Sequence, residues 1–221
     1  MTLRRDIITA AIGILVLTLF CGVLYPLLIT GISQVAFPGN ANGQRVYVNG
    51  KLIGSKLIGQ NFSTLLYKNG KPEMKDGVPV TSPDPRYFQG RPSATVPPNN
   101  AAATTFSNLG PNSVATEQEI SSNVQAYISL NGSYYPGGLT AAKVPVDAAD
   151  SSASGIDPDI SIADADIQAY RIAAVRHLPR STVMRLVKKY TGGRGLGFSG
   201  EPGVDVLQLN LALDRLNGAR A

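Results

Sequence analysis

The 221-residue chain is 43% apolar and only 16% charged, with a net charge of +5. That composition excludes collagen-like and fully disordered chains, and so mild and scattered a positive charge gives no argument for a nucleic-acid partner. One Cys and one His exclude an intrachain disulfide, a Cys-built zinc site and any multi-histidine metal site.

Charge is unevenly placed. After Arg4, Arg5 and Asp6 no charged residue occurs until Arg45. Residues 7–29, IITAAIGILVLTLFCGVLYPLLI, rise roughly 34 Å as a helix, enough to cross the hydrocarbon core with some tilt. A secretory signal has a shorter apolar core and a small-residue cleavage site, and neither is present here. Phe20 before Cys21 is too bulky for lipoprotein processing. Residues 7–29 are therefore expected to form a single transmembrane helix. Arg4 and Arg5 place residues 1–6 in the cytoplasm by the positive-inside rule. Residues 30–221 are then expected outside the cytoplasm, as an α+β domain. About 185 residues suffice for a core without disulfides.

Beyond the span, RVYV at 45–48, Asn49-Gly50 and KLIGSKLIG read as a β-hairpin with a two-residue turn. Residues 68–100, rich in Pro, Gly, Lys and Asp, are expected to be irregular. Thr116 with Glu119 has capping-box spacing for a helix whose apolar face is Ile120, Val124, Tyr127 and Ile128, stopped by Asn131-Gly132. Ser161 with Asp164 opens a second helix, with a stripe of Ile167, Tyr170, Ala174 and Leu178 ended by Pro179. Ser181 or Thr182 caps a third, with Val183, Leu186, Val187 and Tyr190 apolar and Gly192-Gly193 as its stop. VDV and LQLNLALDRLNG predict a short strand and a last helix. Strands first and helices later is an α+β order.

Catalytic motifs fail on context. The letters of Gly195–Gly200 fit a dinucleotide-binding loop, but they follow a helix stop and lead into Glu201-Pro202, so they read as a turn. Asp157-Pro158-Asp159 begins like a calcium loop, yet its sixth and twelfth positions are Ile162 and Gln168 instead of Gly and Glu. His177, near a helix C-terminus beside Arg176 and Arg180, reads as a surface residue.

Several stretches together resemble one family in order along nearly the whole chain. They are LIGQNF (57–62), YFQGRPSAT (87–95), SNLGPNS (107–113), KVPVDAADSSASGIDPDIS (143–161), QAYRIAAVR (168–176) and LGFSGEPGVDVLQLNLALD (196–214). With one N-terminal span they resemble the C subunit of the Kdp-type potassium-transporting P-type ATPase. One departure is SASGIDP at 152–158, where the family pattern suggests SGSGLDP.

The resemblance implies an accessory, non-catalytic subunit in the cell (inner) membrane. Its implied partners are a potassium-binding channel-like subunit, a P-type ATPase subunit and a small single-span subunit. It also implies a role in assembly and as a catalytic chaperone that raises ATP affinity. ATP is implied for the complex. The residues themselves give no direct cofactor: a phosphorylated Asp in a DKTGT-like motif is missing, and the predicted topology puts the domain opposite a cytoplasmic ATP site. The competing class is a membrane-anchored extracytoplasmic hydrolase, which the single His disfavours.

Partner contacts have three sets of candidates. In the span, Ala11, Thr18, Gly22 and Tyr25 fall on one stripe at about 100° per residue, with Ile12, Ile14 and Leu17 on other faces. Small residues there let a neighbouring helix approach closely. Pro26 frees the Gly22 carbonyl, so a kink is expected. Arg91 brings a fork of donors that serves either its own domain or a partner. Six of the fifteen acidic residues fall between Asp147 and Asp166. Asp147, Asp150 and Asp159 among them are candidates for an acidic face turned toward a cation entrance.

Overall fold

The computed structural model describes residues 3–75 and 77–218. It divides into two compact units, one running to Ser55 and one starting at Lys56. The expected cytoplasmic stretch, residues 1–6, begins outside the described residues at Met1 and Thr2.

The first unit is built on one helical rod. α1 (Leu3–Leu19) passes through a π-helical turn at Phe20–Leu24 into α2 (Tyr25–Ala36), and a short α3 (Pro38–Ala41) follows. The 34-residue run Leu3–Ala36 is long and apolar enough to cross a membrane, and none of its residues is buried. The helix is thus longer than the 23 uncharged residues expected to span. A π turn stands where the kink is expected. Pro26 has no N–H for the Gly22 carbonyl, and the ladder just before it re-registers, with Tyr25 N–H bonded to the Phe20 carbonyl five residues back. Each wide turn holds an extra residue, so positions beyond it are set back by up to about 100° relative to a regular helix. The stripe counted from Ala11 to Tyr25 is therefore interrupted at Gly22. Ile14 also moves out of its expected role, because it lines one shallow groove together with Ala11 and Thr18.

β1 (Arg45–Val48) and β2 (Lys51–Ser55) form the expected hairpin, with Val48 opposite Lys51. Asn49 and Gly50 both have positive φ, at 49° and 77°, which is the demand of the two-residue turn.

The second unit opens with more order than expected. β3 (Ser63–Leu65) pairs with β8 (Thr81–Pro83), enclosing two-residue pairs β4 (Tyr67–Lys68) with β5 (Lys71–Pro72) and β6 (Met74–Lys75) with β7 (Val78–Pro79). Leu66, Glu73 and Val80 stitch these pairs together through main-chain bonds of 2.8–2.9 Å. Strands of two residues are too short to show alternation, so composition alone read this region as irregular.

Helices supply the core. α4 (Val114–Asn131) is capped by Ser113, whose hydroxyl accepts from Thr116 N–H at 3.1 Å, so the cap lies three residues before the expected Thr116. Tyr127 is buried on its inner face, but Ile120 is exposed. The short α5 (Val146–Ala149) precedes β9 (Asp159–Ser161). α6 (Ile162–Val175) is capped by Ser161 through Asp164 N–H, as expected. It ends at Val175, short of Pro179, and Ala174 is exposed. Its buried residues lie on two faces: Ala165, Ala169 and Ile172 on one, and Asp164, Ile167, Gln168 and Arg171 on the other. α6 is enclosed from both sides, so a single apolar stripe does not describe it. α7 (Arg180–Lys189) buries Val183 and Val187 and starts at Arg180 without a side-chain cap from Ser181 or Thr182. β10 (Gly203–Asp205) pairs antiparallel with β9, and α8 (Val206–Gly218) closes the unit. Phe88, Ile160, Ile172, Val204, Leu209 and Leu213 meet in one cluster, each 2% exposed or less. Burying a side chain of this size stabilises by about 1.5–3 kcal/mol.

Candidate functional site

Two loops that carry family-like letters, 87–95 and 150–158, are folded onto each other. Arg91 Nη1 lies 3.1 Å from Asp157 Oδ2, and its Nη2 donates to the Asp150 and Ser151 carbonyls at 3.4 Å. Ser152 N–H donates to the Pro92 carbonyl at 2.9 Å, and Ser93 Oγ donates to the Gly155 carbonyl at 2.6 Å. Gly155 has φ +71°, and a Cβ there would stand 2.6 Å from the Thr105 carbonyl oxygen and from Thr95 Cγ2. Only glycine fits this crossing.

The same 87–95 segment is gripped from behind by two buried amides. Asn210 of α8 accepts from Phe88 N–H and donates to its carbonyl, both at 2.9 Å. Gln168 of α6 accepts from Gln89 N–H at 2.8 Å and donates to its carbonyl at 3.0 Å. Fully buried Arg171 bonds the Tyr87 carbonyl at 3.0 Å, the Pro85 carbonyl, Asn131 Oδ1 at 2.9 Å and Gln168 Oε1 at 2.8 Å. Burial lowers its pKa to about 10, which leaves it a cation at neutral pH. Side chains therefore satisfy main-chain groups that no sheet reaches.

Gln89, Asn131 and Gln168 of this network line a cleft of about 360 Å³, walled also by Asn61, Phe62, Gly90, Asn99, Asn123 and Tyr127. Asp164 sits beneath it, 1% exposed. Its Oδ1 accepts from Tyr127 OH at 2.5 Å and from Gln168 Nε2 at 3.0 Å. Burial pushes its carboxyl up to about 7, against those two hydrogen bonds, and the charge of Asp147 adds to the rise. Burial, and then Asp164, raise the Tyr127 phenol well above its ordinary range, so it stays a donor.

The acidic run is spent largely inside the domain. Asp147 accepts from Ser161 N–H at 2.6 Å and from its hydroxyl at 2.8 Å. Asp157 pairs with Arg91, and Asp166 pairs with Arg180 at 2.5 Å. Asp150 and Asp159 remain exposed. Partial desolvation of its otherwise exposed carboxyl, then the charges of Asp205 and Asp157, raise the Asp159 pKa. Asp147 thus acts as a structural acceptor, and both Nη groups of Arg91 bond within its own domain, while its Nε is buried without a hydrogen-bond partner. Among the described residues no cluster of His, Cys, Asp and Glu could hold a metal. His177 is exposed, with φ +54° at the end of α6. Gly195–Gly200 is a turn, as its context predicts.

Sequence reasoning missed Tyr127, Asp164, Gln168, Arg171 and Asn210 as one network. The available signal was a polar residue inside an apolar pattern, as in QAYR and LQLNLALD.

A family model described as "KdpC: K+-transporting ATPase, c chain" matches residues 7–215. A "Potassium-transporting ATPase KdpC subunit" of Methylococcus capsulatus is 46% identical over 208 residues, covering 94% of this chain and 96% of that protein. Proteins of the same description from Herminiimonas arsenicoxydans and Streptomyces coelicolor are each 41% identical. They cover 97% and 92% of this chain and 97% and 89% of their own lengths. Identity at this level along nearly the full length places the chain in the KdpC family, the c chains of K+-transporting ATPases.

Proposed function

We propose that the chain is the accessory C subunit of a potassium-transporting P-type ATPase complex, anchored by its N-terminal helix. The match over residues 7–215 to a c-chain family supports this most directly. The partners are a potassium-binding channel-like subunit, the P-type ATPase subunit and a small single-span subunit. The domain lies outside the cytoplasm, a reading supported by Arg4 and Arg5 before the span and the absence of Lys or Arg from 30 to 44. The subunit is non-catalytic. It holds the complex together and raises the ATP affinity of the pump subunit indirectly, by favouring one of its conformations. Exposed Asp150 and Asp159 face the potassium entrance, and the Ala11–Thr18 groove receives a partner helix.

Blue-native electrophoresis of mildly solubilised membranes tests the subunit reading. The chain is expected to migrate with large membrane partners, and migration alone overturns it. A protease-protection assay on right-side-out vesicles tests the topology. Loss of the domain to external protease is expected, and protection overturns the placement.

A further inference from the structure

After α7 the chain leaves the core through Thr191, which bridges to Val204, and Gly192, whose N–H bonds the Gly203 carbonyl at 2.7 Å. The turn beyond is braced. Gly195 and Ser199 exchange main-chain bonds at 2.7 and 2.8 Å, Gly197 N–H reaches the Arg194 carbonyl at 3.1 Å, and Arg194 clamps the Gly200 carbonyl and Glu201. At its tip stand Leu196, 91% exposed, and Phe198, 76% exposed. Leu196 is held at φ +52°, where a bulky side chain is an outlier and Gly or Asn would be favoured. A rigid turn that presents Leu and Phe to the surroundings is built to place them against something apolar.

The surface beside the turn continues the pattern. A shallow groove of about 410 Å³ is lined by Ile162, Met184, Pro202 and Lys188. Residues 180–201 carry five cations, Arg180, Arg185, Lys188, Lys189 and Arg194, against the single carboxylate of Glu201. Arg180 and Arg194 are in ion pairs. Arg185, Lys188 and Lys189 are exposed and belong to no ion pair found among the described residues. The same chain carries a helix long and apolar enough to cross a membrane. Apolar tips together with cations free of ion pairs on the preceding helix α7 are the chemistry that binds a surface of anionic headgroups, with the tips at the acyl boundary and the cations at the phosphates.

We propose that the turn 193–201 is a membrane finger: Leu196 and Phe198 enter the interface of an anionic leaflet, and Arg185, Lys188 and Lys189 meet its headgroups. The chain contains no Trp, so Phe198→Trp makes the tip its sole reporter. The full-length variant is placed in nanodiscs of phosphatidylcholine with or without phosphatidylglycerol, with brominated acyl chains as quencher. The expected result is blue-shifted emission and quenching in the anionic discs, several-fold weaker in neutral discs and after Lys188→Glu with Lys189→Glu. Circular dichroism checks that each variant is folded. Solvent-like, unquenched emission in both discs overturns the proposal. Equal quenching in neutral discs overturns the anionic assignment. Emission that shifts only when other subunits are added, without bromine quenching, assigns the tip to a protein pocket and also overturns it.

Discussion

Asn210 and Phe88 stand 122 positions apart and close a two-way hydrogen bond, with the Asn210 amide accepting from the Phe88 N–H and donating to its carbonyl at 2.9 Å each. Both residues are fully buried. The side chain thus does for Phe88 what a neighbouring strand would do. Asn210→Leu leaves two buried main-chain groups unpaired, at about 1–3 kcal/mol each. Chemical denaturation is expected to show a loss of about 2–6 kcal/mol with an unchanged m-value. A loss under about 0.5 kcal/mol, the range of an ordinary surface substitution, contradicts the role.

Asp164 gives the domain a definite pH dependence. Burial pushes its carboxyl up to about 7 in the folded domain, from an ordinary value of 3.8. The folded state therefore holds the proton more tightly than the unfolded state between these values. This group's contribution to stability falls as pH rises from about 4 to 7, by an amount on the order of a few kcal/mol. Asp84, held low mainly by its hydrogen bond to Arg86, acts in the opposite sense and at more acid pH. Asp164→Asn keeps an acceptor for Tyr127 and Gln168 while removing the charge. The variant is expected to be the more stable protein at pH 7.5, with the difference shrinking toward pH 5. Urea titrations of both proteins at the two pH values check this, and a constant difference contradicts it.

Gly155 is where the two clasped loops come closest. Gly155→Ala puts a methyl group 2.6 Å from the Thr105 carbonyl oxygen and from Thr95 Cγ2, at φ +71°. The loops must separate, so faster amide exchange is expected at Ser152, whose N–H bonds Pro92, and at Gly59, whose N–H bonds Ile156. Gly90→Ala has open space around it and is expected to leave both protected.

Ala11 and Thr18 share one groove of the long N-terminal helix, and Gly22 lies in the π turn. Ala11→Leu with Thr18→Leu is expected to weaken assembly while insertion persists, since small residues set the distance of helix approach in lipid. Ile12→Leu and Leu17→Ile are the controls. Ile14 is unsuitable because it lines the same groove. Co-purification yields at equal expression check this, and full assembly by the Leu variant contradicts a specific contact.

Much of the architecture is legible in the letters where one local force dominates. The uncharged run before Arg45 announces the long helix, Asn49-Gly50 announces its hairpin, and Ser161 with Asp164 announces α6. What is not legible depends on contacts between distant residues. Asp164 looks like a helix N-terminal charge until Tyr127, 37 positions away, is seen to donate to it. Arg171 carries no assignment from the sequence, and its burial follows only from the loop at Pro85–Tyr87 wrapping its guanidinium. Asp147 looks like part of an acidic face until it is found holding Ser161. The π turn is hidden too, because helical periodicity is counted on the assumption that no turn takes an extra residue.

As the proposed accessory subunit, the chain supports both assembly of the complex and ATP use by the pump subunit. The most direct measurement is potassium-stimulated ATP hydrolysis by the partner subunits, purified with and without this chain, as a function of ATP concentration. With the chain present, the complex is expected to be intact and to reach half-maximal rate at lower ATP. Without it, assembly yield falls and the half-maximal ATP concentration of the remaining complex rises. An intact complex that lacks this chain, transports potassium and shows the same ATP dependence would rule out both roles.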